Sequence, residues 1–460
     1  MPYILKKYYS ARNIVFFLGE GTLIFSVVFG VYCFYNLPEP LGGDMALFAL
    51  RASLVTFVFQ LCFYFFDLYD LSTSSAVSDT VARTAQAFGT GCIVLAVMYY
   101  LFPVILISSK IFWTGYLAIC VSVFVWRFFY HYILDKKMFT QPVLILGTGN
   151  LAGDIASEIE NKRDSAYRIA AYVGTEKTNF NPVGVPVLSD VKNLADICKE
   201  KRVERIVVAL DDKRGKTPID ELIKCKLQGI KIDKGISFYE SMAGKILVEK
   251  VNPAWIIFSE GFKISRFCYF LKRMTDIVLS LVGLIFSLPV TLPSALIIKL
   301  ESPGPVFYAQ ERVGEKGAVF KVIKFRSMSQ DAEKNGAVWA MKNDSRVTRF
   351  GGFIRNVRID EIPQMWNVLK GEMSFVGPRP ERPVFVEQLN RNIPYYSLRH
   401  NVKPGITGWA QICYPYGASE EDALRKLEYD LYYIKNMTFK MDLWVVFQTI
   451  KTVLFQKGSR

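Results

Sequence analysis

Four apolar stretches in the first third of the chain constrain its fold more than any other feature. Each is about twenty residues long, the length that a helix needs to cross the hydrocarbon core of a bilayer. Only short links separate them, so they predict two helical hairpins anchored in a membrane. The stretches are residues 13–35, 47–66, 85–107 and 111–134.

Positive charges flank this membrane region, residues 1–138, on both sides. Because Lys and Arg collect on the cytoplasmic side of membrane proteins, both ends are expected in the cytoplasm, and an even number of spans agrees. No small-residue cleavage site follows the first stretch, so we interpret it as a retained anchor and not as a signal peptide. The flanking cations are Lys6, Lys7 and Arg12 before the first stretch and Arg127, Lys136 and Lys137 at the end of the last.

The composition limits the classes of substrate and the types of catalytic residue that fit this chain. The 460-residue chain is 51% hydrophobic and carries a net charge of +14 without a long basic block, which fits anionic substrates and an anionic lipid surface better than nucleic acid. The eight cysteines show no CxxC pairing, so we expect free thiols in a reducing compartment. The two histidines lack metal-ligand spacing, so catalysis must rest on carboxylates, lysines, arginines or hydroxyls.

From Gln141 the sequence has the pattern of a soluble α/β domain. "PVLILGTGNLAGDIASEIE" is typical of a strand, a glycine turn and an amphipathic helix, and "RIAAYVG" and "RIVVAL" predict further strands. We expect a Rossmann-like domain over residues 139–255. Gly147, Gly149 and Ala152 match the dinucleotide-binding spacing. The second strand ends in Val173 and Gly174, with no Asp or Glu there to bind a ribose, so a structural or regulatory role is favoured over catalytic dinucleotide binding.

A further apolar run, residues 277–298, is long enough to span a bilayer but contains two prolines. Pro289 and Pro293 lie near its middle, where proline removes helix hydrogen bonds and kinks the axis. Lys272 precedes the run and Lys299 follows it, so both ends carry the cytoplasmic signature. We predict a re-entrant helix, broken at the prolines, that enters and leaves by one membrane face. A proline-kinked spanning helix is the alternative.

The end of the chain, residues 427–454, predicts amphipathic helices rich in Tyr, Trp and Lys. Such a face lies either along a membrane interface or in a protein core. Sequence periodicity does not separate these alternatives.

Two adjacent carboxylates precede an apolar helical pattern in "RIDEIPQMWNVLKGE". Asp360 suits a helix N-cap and Pro363 an early helical position, so capping alone explains the stretch. An Asp at a helix N-terminus is also a candidate nucleophile, because the dipole keeps it ionised and the free amides can receive a phosphate. We therefore predict that Asp360 is catalytic and that Glu361 helps to hold a metal or shapes the charge around Asp360.

Cations gather around this pair in the sequence. A solvated, salt-bridged surface is one explanation. The other is a site where cations, with Mg²⁺ held by Asp360 and Glu361, bind phosphates. The segment "SFVGPRPERP" adds guanidinium groups on a rigid turn, which suits a pyrophosphate but also serves structure alone. The candidate substrate-binding residues are Lys324, Arg326, Ser327, Arg355, Gln364, Pro378, Arg379 and Pro380.

Several separated motifs resemble those of the bacterial sugar transferases, the polyprenyl-phosphate hexose-1-phosphate transferases. The motifs are "KRMTDIVLS", "SPGPVFYAQERVG", "FKVIKFRSM", "RIDEIPQMWNVLKGEMSFVGPRPERP" and "VKPGITGWAQI", in the family's order, over about residues 265–460. The membrane spans and the Rossmann-like unit resemble the larger members of the family. Ile359 and Ile362 stand where the family often has leucine, which keeps the apolar character.

The resemblance implies a fold. It is a membrane protein with an α-helical N-terminal bundle, an α/β Rossmann-like domain and a mainly α, monotopic phosphoglycosyl transferase domain that contains the re-entrant helix. The expected location is the bacterial inner membrane, with the catalytic domain on the cytoplasmic face. The oligomeric state stays open, a homodimer being one option.

The resemblance also implies an activity. A hexose 1-phosphate passes from a UDP-sugar to undecaprenyl phosphate with release of UMP, with Mg²⁺ required. The family's catalytic pair falls on Asp360 and Glu361, and Asp360 forms a phosphosugar intermediate. This step starts exopolysaccharide or O-antigen repeat units. The hexose stays open, glucose or galactose being the family-level expectation.

Two other classes of protein share the gross layout. Membrane-anchored nucleotide-sugar dehydratases or epimerases need a Tyr-x-x-x-Lys pair after the glycine turn, whereas the pairs here, Tyr3 with Lys7 and Tyr132 with Lys136, precede it. A non-catalytic scaffold for polysaccharide assembly would not need the full set of acidic, basic and proline-glycine motifs. Both readings are therefore disfavoured.

Overall fold

A computed structural model divides the chain by its internal contacts into two compact units. One covers Tyr8–Phe238 and the other Tyr239–Arg460, whereas the predicted Rossmann-like domain runs to residue 255. Lys6 lies outside the described residues. Those residues are 3–4, 7–8, 11–36, 45–70, 77–174, 185–189, 191, 193–210, 217–251, 253–259, 261–262, 265–329, 346–415, 417 and 419–454.

Four long helices open the first unit where the membrane spans were predicted, and each is long and apolar enough to cross a bilayer. The third was expected to reach residue 107 but ends at Leu101, because Pro103 begins a separate 3₁₀ turn, Pro103–Ile105. The helices are α1 (Ala11–Asn36), α2 (Met45–Phe65), α3 (Val77–Leu101) and α4 (Ser109–Asp135), after two short strands, β1 (Tyr3–Ile4) and β2 (Lys7–Tyr8).

A parallel five-stranded sheet follows and confirms the α/β domain. Its order is β5–β4–β3–β6–β7, the doubly wound arrangement in which the first strand is central and the chain builds outwards on both sides. The strands are β3 (Gln141–Leu146), β4 (Tyr167–Val173), β5 (Val187–Leu188), β6 (Arg205–Val208) and β7 (Lys231–Lys234). The helices are α5 (Asn150–Glu160), α6 (Leu194–Glu200), α7 (Ile219–Leu227) and α8 (Gly235–Ala243).

The glycine turn after β3 lies where the strand order reverses. Gly147 has a φ of +128°, and a Cβ there would come within 2.4 Å of the carbonyl oxygen of Ala209, just after β6. The backbone itself therefore demands glycine at this position. This supports the structural interpretation of the turn.

The second unit joins one very long helix to a mainly helical domain. Its helices are α9 (Pro253–Phe258), α10 (Arg266–Glu301), α11 (Arg349–Asn356), α12 (Gln364–Lys370), α13 (Pro383–Asn392), α14 (Trp409–Cys413), α15 (Glu420–Asn436) and α16 (Phe439–Leu454). Its strands are β8 (Phe307–Val313), β9 (Val319–Phe325), β10 (Ser374–Val376) and β11 (Gly405–Thr407), and 3₁₀ turns cover Val248–Lys250, Glu315–Gly317, Ile359–Glu361 and Tyr396–Asn401.

Helix α10 continues through both Pro289 and Pro293, so no loss of helical structure accompanies the prolines. Its apolar residues are mostly exposed, and it is a fifth helix suited to a membrane. Both ends are bonded within the second unit. Near the first end, Lys272 donates to the carbonyl of Val376 at 2.8 Å. At the other end, Glu301 accepts from the backbone of Phe350 at 3.0 Å.

The two C-terminal helices differ in environment. In α15 the buried face includes Leu427, Leu431 and Tyr432, so this helix belongs to the core. In α16 large apolar side chains such as Leu443 and Ile450 remain about half exposed. The ambiguity of the sequence is thus resolved as a core position for α15 and an exposed apolar edge on α16.

Two motifs distant in sequence meet in a short parallel pair. Strands β10 and β11 place Ser374 opposite Gly405 and Val376 opposite Thr407. The backbones then come so close that a Cβ on Gly377 would lie 2.4 Å from the carbonyl oxygen of Lys403. This approach brings the turn with Pro378 to Pro380 against the segment that leads into α14.

Candidate active site

A cavity of about 440 Å³ in the second unit contains the predicted nucleophile. Its walls come from the β8–β9 hairpin, the turn after β10, and helices α13, α14 and α15. Basic side chains far outnumber acidic ones, which suits a polyanionic ligand. The basic residues on the walls are Arg312, Lys324, Arg326, Arg346, Arg355, Arg358, Arg379, Arg382, Arg399 and Lys426, and the acidic ones are Asp360, Glu381 and Asp430.

Asp360 lies in the 3₁₀ turn Ile359–Glu361 and not at the N-cap of a helix. The turn starts from Arg358, whose φ of +60° is left-handed, and α12 begins later, with Pro363 at its N-cap and no side-chain cap. The predicted capping role is therefore wrong, because the left-handed residue ends the preceding chain direction and opens a separate turn. Asp360 is only 8% exposed, lines the cavity, and has no hydrogen bond or ion pair with any described residue.

Glu361, by contrast, is fully engaged by cations. Its Oε1 accepts from Lys324 Nζ at 3.0 Å and from Arg379 Nη2 at 2.9 Å, and Arg358 Nη1 lies 3.7 Å from Oε2. Glu361 is 8% exposed and does not line the cavity. Its carboxylate thus fixes two of the cavity's cations in place.

The neighbouring acids have opposite electrostatics. Burial, followed by the charge of Glu361, raises the pKa of Asp360 to about 6. Burial also opposes the charge on Glu361, but Lys324, Arg379 and Arg358 outweigh it and hold the pKa of Glu361 well below its usual range. The expectation that a helix dipole keeps Asp360 ionised is therefore wrong. Burial instead raises the pKa of this carboxyl group towards neutral pH.

The end of β9 supplies three of the candidate residues, in different roles. Lys324 binds Glu361 and lines the cavity, and Ser327 also lines it. Arg326 also lines the cavity, but its guanidinium binds the backbone carbonyls that follow α10. It donates to Ser302 O at 2.7 Å and to Pro303 O at 2.8 Å. Arg326 therefore closes the end of α10, a task that its position beside Lys324 did not reveal.

The proline turn after β10 is built as a rigid support. The Pro378 carbonyl accepts from the Gly405 amide at 2.9 Å, and the Pro380 carbonyl accepts from Arg312 at 3.1 Å. Both prolines are buried, while Arg379 between them is partly exposed on the cavity wall. The turn thus presents one guanidinium, and its prolines act through the backbone.

The other two candidates separate. Arg355, in α11, lines the cavity, and its charge acts on Asp360. Gln364 begins α12 and is 4% exposed, and it is not one of the wall residues. The structure thus brings Lys324, Ser327, Arg355 and Arg379 together with Asp360, and leaves Gln364 in the core.

Sequence reasoning missed a buried ion pair behind the proline turn. Arg399 donates to Asp430 at 2.9 Å and to the carbonyl of Arg379 at 2.9 Å, and both side chains of the pair are under a tenth exposed. The "KPGITG" motif nearby was a pointer to the region. The pair itself could not be predicted, because no sequence spacing links Arg399, in the 3₁₀ turn Tyr396–Asn401, to Asp430 in the middle of α15.

The acidic pair fits a magnesium ion only in part. Mg²⁺ is often held by one or two carboxylates together with substrate phosphates. Asp360, unpaired in the described part of the chain and facing the cavity, suits that arrangement. Glu361 is already occupied by cations, and the described residues contain no cluster of three or more metal-binding His, Cys, Asp or Glu side chains. The residues therefore suit an ion carried on a substrate's phosphates.

A buried unpaired carboxylate among fixed cations, in a unit that includes a long apolar helix, defines an enzyme that handles phosphorylated substrates at a membrane. Comparison with known sequences agrees. The bacterial sugar transferase family matches residues 267–456, and the CoA-binding domain family matches residues 64–224.

Named relatives extend these matches. The undecaprenyl-phosphate glucose phosphotransferase of Komagataeibacter xylinus is 31% identical over 439 residues, 92% of this chain and 80% of that protein. The UDP-N-acetylgalactosamine-undecaprenyl-phosphate N-acetylgalactosaminephosphotransferase of Aeromonas hydrophila is 43% identical over 52% of this chain, an alignment that spans 56% of the relative. The UDP-glucose:undecaprenyl-phosphate glucose-1-phosphate transferase of Xanthomonas campestris pv. campestris is 27% identical over 100% of this chain and 97% of that protein. The chain therefore belongs to the bacterial sugar transferase family, as its motifs indicated.

Proposed function

We infer that this protein transfers a sugar 1-phosphate from a UDP-sugar to undecaprenyl phosphate, releasing UMP, as the first step in building a polysaccharide repeat unit. The names of its relatives support the donor and the acceptor. One observation within the molecule carries the mechanism. Asp360 is a buried carboxylate without a protein partner among the described residues, and it faces a cavity walled by cations.

In the first step, an Asp360 carboxylate oxygen attacks the phosphorus that carries the sugar. A bond forms between that oxygen and phosphorus, the bond from phosphorus to the bridging oxygen breaks, and UMP leaves with the electron pair. The product is an acyl phosphate that links Asp360 to the sugar. The raised pKa of Asp360 suits a nucleophile, because a more basic carboxylate forms the bond more readily.

In the second step, an oxygen of undecaprenyl phosphate attacks the same phosphorus. The bond from phosphorus to Asp360 breaks, and the carboxylate is regenerated. The product is undecaprenyl diphosphate carrying the sugar. Two successive displacements through Asp360 let a water-soluble donor and a lipid acceptor use the same residue in turn.

The cations stabilise charge that develops on the phosphoryl oxygens. Lys324 and Arg379 are held by Glu361 at 3.0 Å and 2.9 Å, so they need little reorganisation when the substrate arrives. Arg355 and Arg358 line the cavity next to Asp360. Phosphoryl transfer is mostly positioning and charge neutralisation, which this arrangement supplies.

We propose that Mg²⁺ is bound through Asp360 and the donor's phosphates, with Glu361 setting the surrounding charge. When bound, the ion would neutralise the pyrophosphate and stabilise the departing UMP. Chelation should abolish UMP release, and added Mg²⁺ should restore it. Full activity in the presence of a chelator would contradict this part of the proposal.

We also propose that α10 enters and leaves the membrane by its cytoplasmic face. Lys272 at one end is bonded to Val376 O at 2.8 Å, and at the other end Arg326 holds Ser302 O at 2.7 Å. Both partners belong to one compact unit, whereas a straight crossing helix of 36 residues would be about 54 Å long. A bend near the prolines lets both ends reach a domain on one side of the bilayer.

An assay of UMP release from purified full-length protein tests the proposed activity. UDP-glucose, UDP-galactose and UDP-N-acetylgalactosamine should be compared, each with and without undecaprenyl phosphate. Sustained UMP release that requires the lipid phosphate, with at least one donor, is expected. No release with any UDP-sugar would contradict the proposed function.

A further inference from the structure

A segment outside both matched family regions is built into the catalytic unit. We call Tyr239–Val251 the bracing segment. It follows the CoA-binding match, which ends at residue 224, and precedes the sugar transferase match, which starts at residue 267. The bracing segment nevertheless belongs to the second unit. Ile246 and Val248 are each 1% exposed, as deep as core residues.

The bracing segment is bonded to the C-terminal end of α15. Glu240 is 7% exposed and forms an ion pair with Lys435 at 2.6 Å. Its other oxygen accepts from Asn436 at 3.3 Å. A buried carboxylate requires such partners, since removing one of them leaves an uncompensated charge or polar group.

A second contact lies two turns earlier on α15. Glu428 is fully buried, and Lys245 of the bracing segment lies 3.3 Å from its carboxylate. The backbone carbonyl of Glu428 also accepts from the Ile246 amide at 3.0 Å. Backbone and side chain of the same α15 residue are therefore fixed by adjacent residues of the segment.

A third contact reaches α14. The indole Nε1 of Trp409, the first residue of α14, donates to the Gly244 carbonyl at 2.9 Å in a buried position. The ring of Trp409 also stacks on Tyr432 of α15 at a centroid distance of 6.1 Å. The segment therefore ties α14 and α15 together from one side.

The same two helices form a wall of the cavity. Ala410 and Gln411 of α14, and Ala423, Lys426 and Asp430 of α15, line it. This wall does not carry Asp360 or Glu361. A donor whose reacting phosphorus lies at Asp360 extends beyond the cations towards other walls, so α14 and α15 suit its remote part.

We propose that Glu240 and Lys245 are positioning residues for the nucleotide-sugar donor. By fixing α14 and α15, the bracing segment holds the wall against which the part of the donor remote from the reacting phosphorus binds. This rests on the proposed function for the identity of the donor. The proposal predicts that these remote contacts bind the ground state and the transition state alike, so that their loss raises KM and leaves kcat nearly unchanged.

The test uses full-length protein and two matched glutamines. Glu240→Gln removes a buried charge, while Glu249→Gln in the same segment removes a carboxylate that is 59% exposed and 4.0 Å from Arg425. Lys245→Met provides an independent variant that removes the partly buried partner of Glu428. We expect the Kd for UMP and the KM for the UDP-sugar to rise roughly threefold to thirtyfold in Glu240→Gln and in Lys245→Met. Both values should stay at the wild-type level in Glu249→Gln.

A rescue separates positioning from loss of folding. The double variant Glu240→Lys with Lys435→Glu restores opposite charges at one place and should recover most of the UMP affinity. Thermal unfolding midpoints are measured alongside, so that each variant is assayed while folded. If Glu240→Gln and Lys245→Met lower only the midpoint and bind UMP like Glu249→Gln, the inference is wrong. UMP binding does not require turnover. A wild-type protein that binds UMP but releases none from any UDP-sugar would therefore contradict the proposed function and leave this inference standing.

Discussion

Glu361 is the residue whose role the structure changes most. Instead of a free metal ligand, it is the common anchor of Lys324 and Arg379, which reach the same oxygen at 3.0 Å and 2.9 Å. Anchoring two long cationic side chains reduces the entropy lost when they bind a phosphate. The adjacent acids therefore divide the work, with Asp360 left free to react.

Replacing Glu361 should test this division. Glu361→Gln keeps the volume but removes the charge that holds both cations, so UMP release should fall by about a hundredfold or more. The matched control is Glu387→Gln, an exposed carboxylate paired with Arg391 on α13. Equal activity in the two variants would mean that the cations are positioned by something else.

The pH dependence follows from the raised pKa of Asp360. Attack requires the carboxylate, and the pKa near 6 means that much of the acid is protonated in mildly acidic solution. The value of kcat/KM for the donor should therefore rise as the pH increases through about 6 and level off above it. In Glu361→Gln the neighbouring negative charge is lost, so the same limb should move to lower pH. A limb near pH 4 in the wild type would contradict the burial argument.

At the scale of elements, helix α10 is the part of the second unit that is long and apolar enough to enter a membrane among the described residues. Both of its ends are bonded to the catalytic unit, and the residues near the prolines are exposed and apolar. Each proline removes one backbone hydrogen bond of the helix. The helix can continue without that bond, but it bends more easily there. The proposed re-entrant path of α10 therefore depends on a bend near these prolines.

Straightening α10 should displace its end. Pro289→Leu restores a backbone donor, and a cysteine placed just after Pro293 then reports its side of the membrane by labelling with an impermeant thiol reagent. We expect the wild-type background to be closed to reagent from the far side and the leucine variant to gain such labelling. A matched Val290→Leu background should behave like the wild type. Far-side labelling in the wild-type background would indicate a helix that crosses the membrane.

Elements were predictable where periodicity and length act alone. The membrane helices and strands such as β4 and β6 follow from apolar runs. The position of α15 did not, because its buried carboxylates, Glu428 and Asp430, look like surface residues until their partners are known. Glu428 has one local partner, Arg425, but its other partner, Lys245, and the partner of Asp430, Arg399, lie far away in sequence.

At the scale of the whole molecule, the site is assembled from motifs that are separated along the chain. The β9 end, the acidic turn and the proline turn meet around Glu361, and the sequence motifs named most of these residues. The sequence could not show that Arg326 would bind the carbonyls after α10, or that Gln364 would be buried away from the cavity. Such outcomes depend on side-chain direction, which changes completely between neighbouring residues of a strand or turn.

The most direct test of the central claim is mass spectrometry of the purified protein incubated with donor alone. With the productive UDP-sugar and Mg²⁺, the peptide that contains Asp360 should gain the mass of the sugar phosphate, and about one UMP should appear per protein. Asp360→Asn should show neither change and should lose turnover while remaining folded. Absence of any adduct in the wild type, together with continued turnover by Asp360→Asn, would contradict the account.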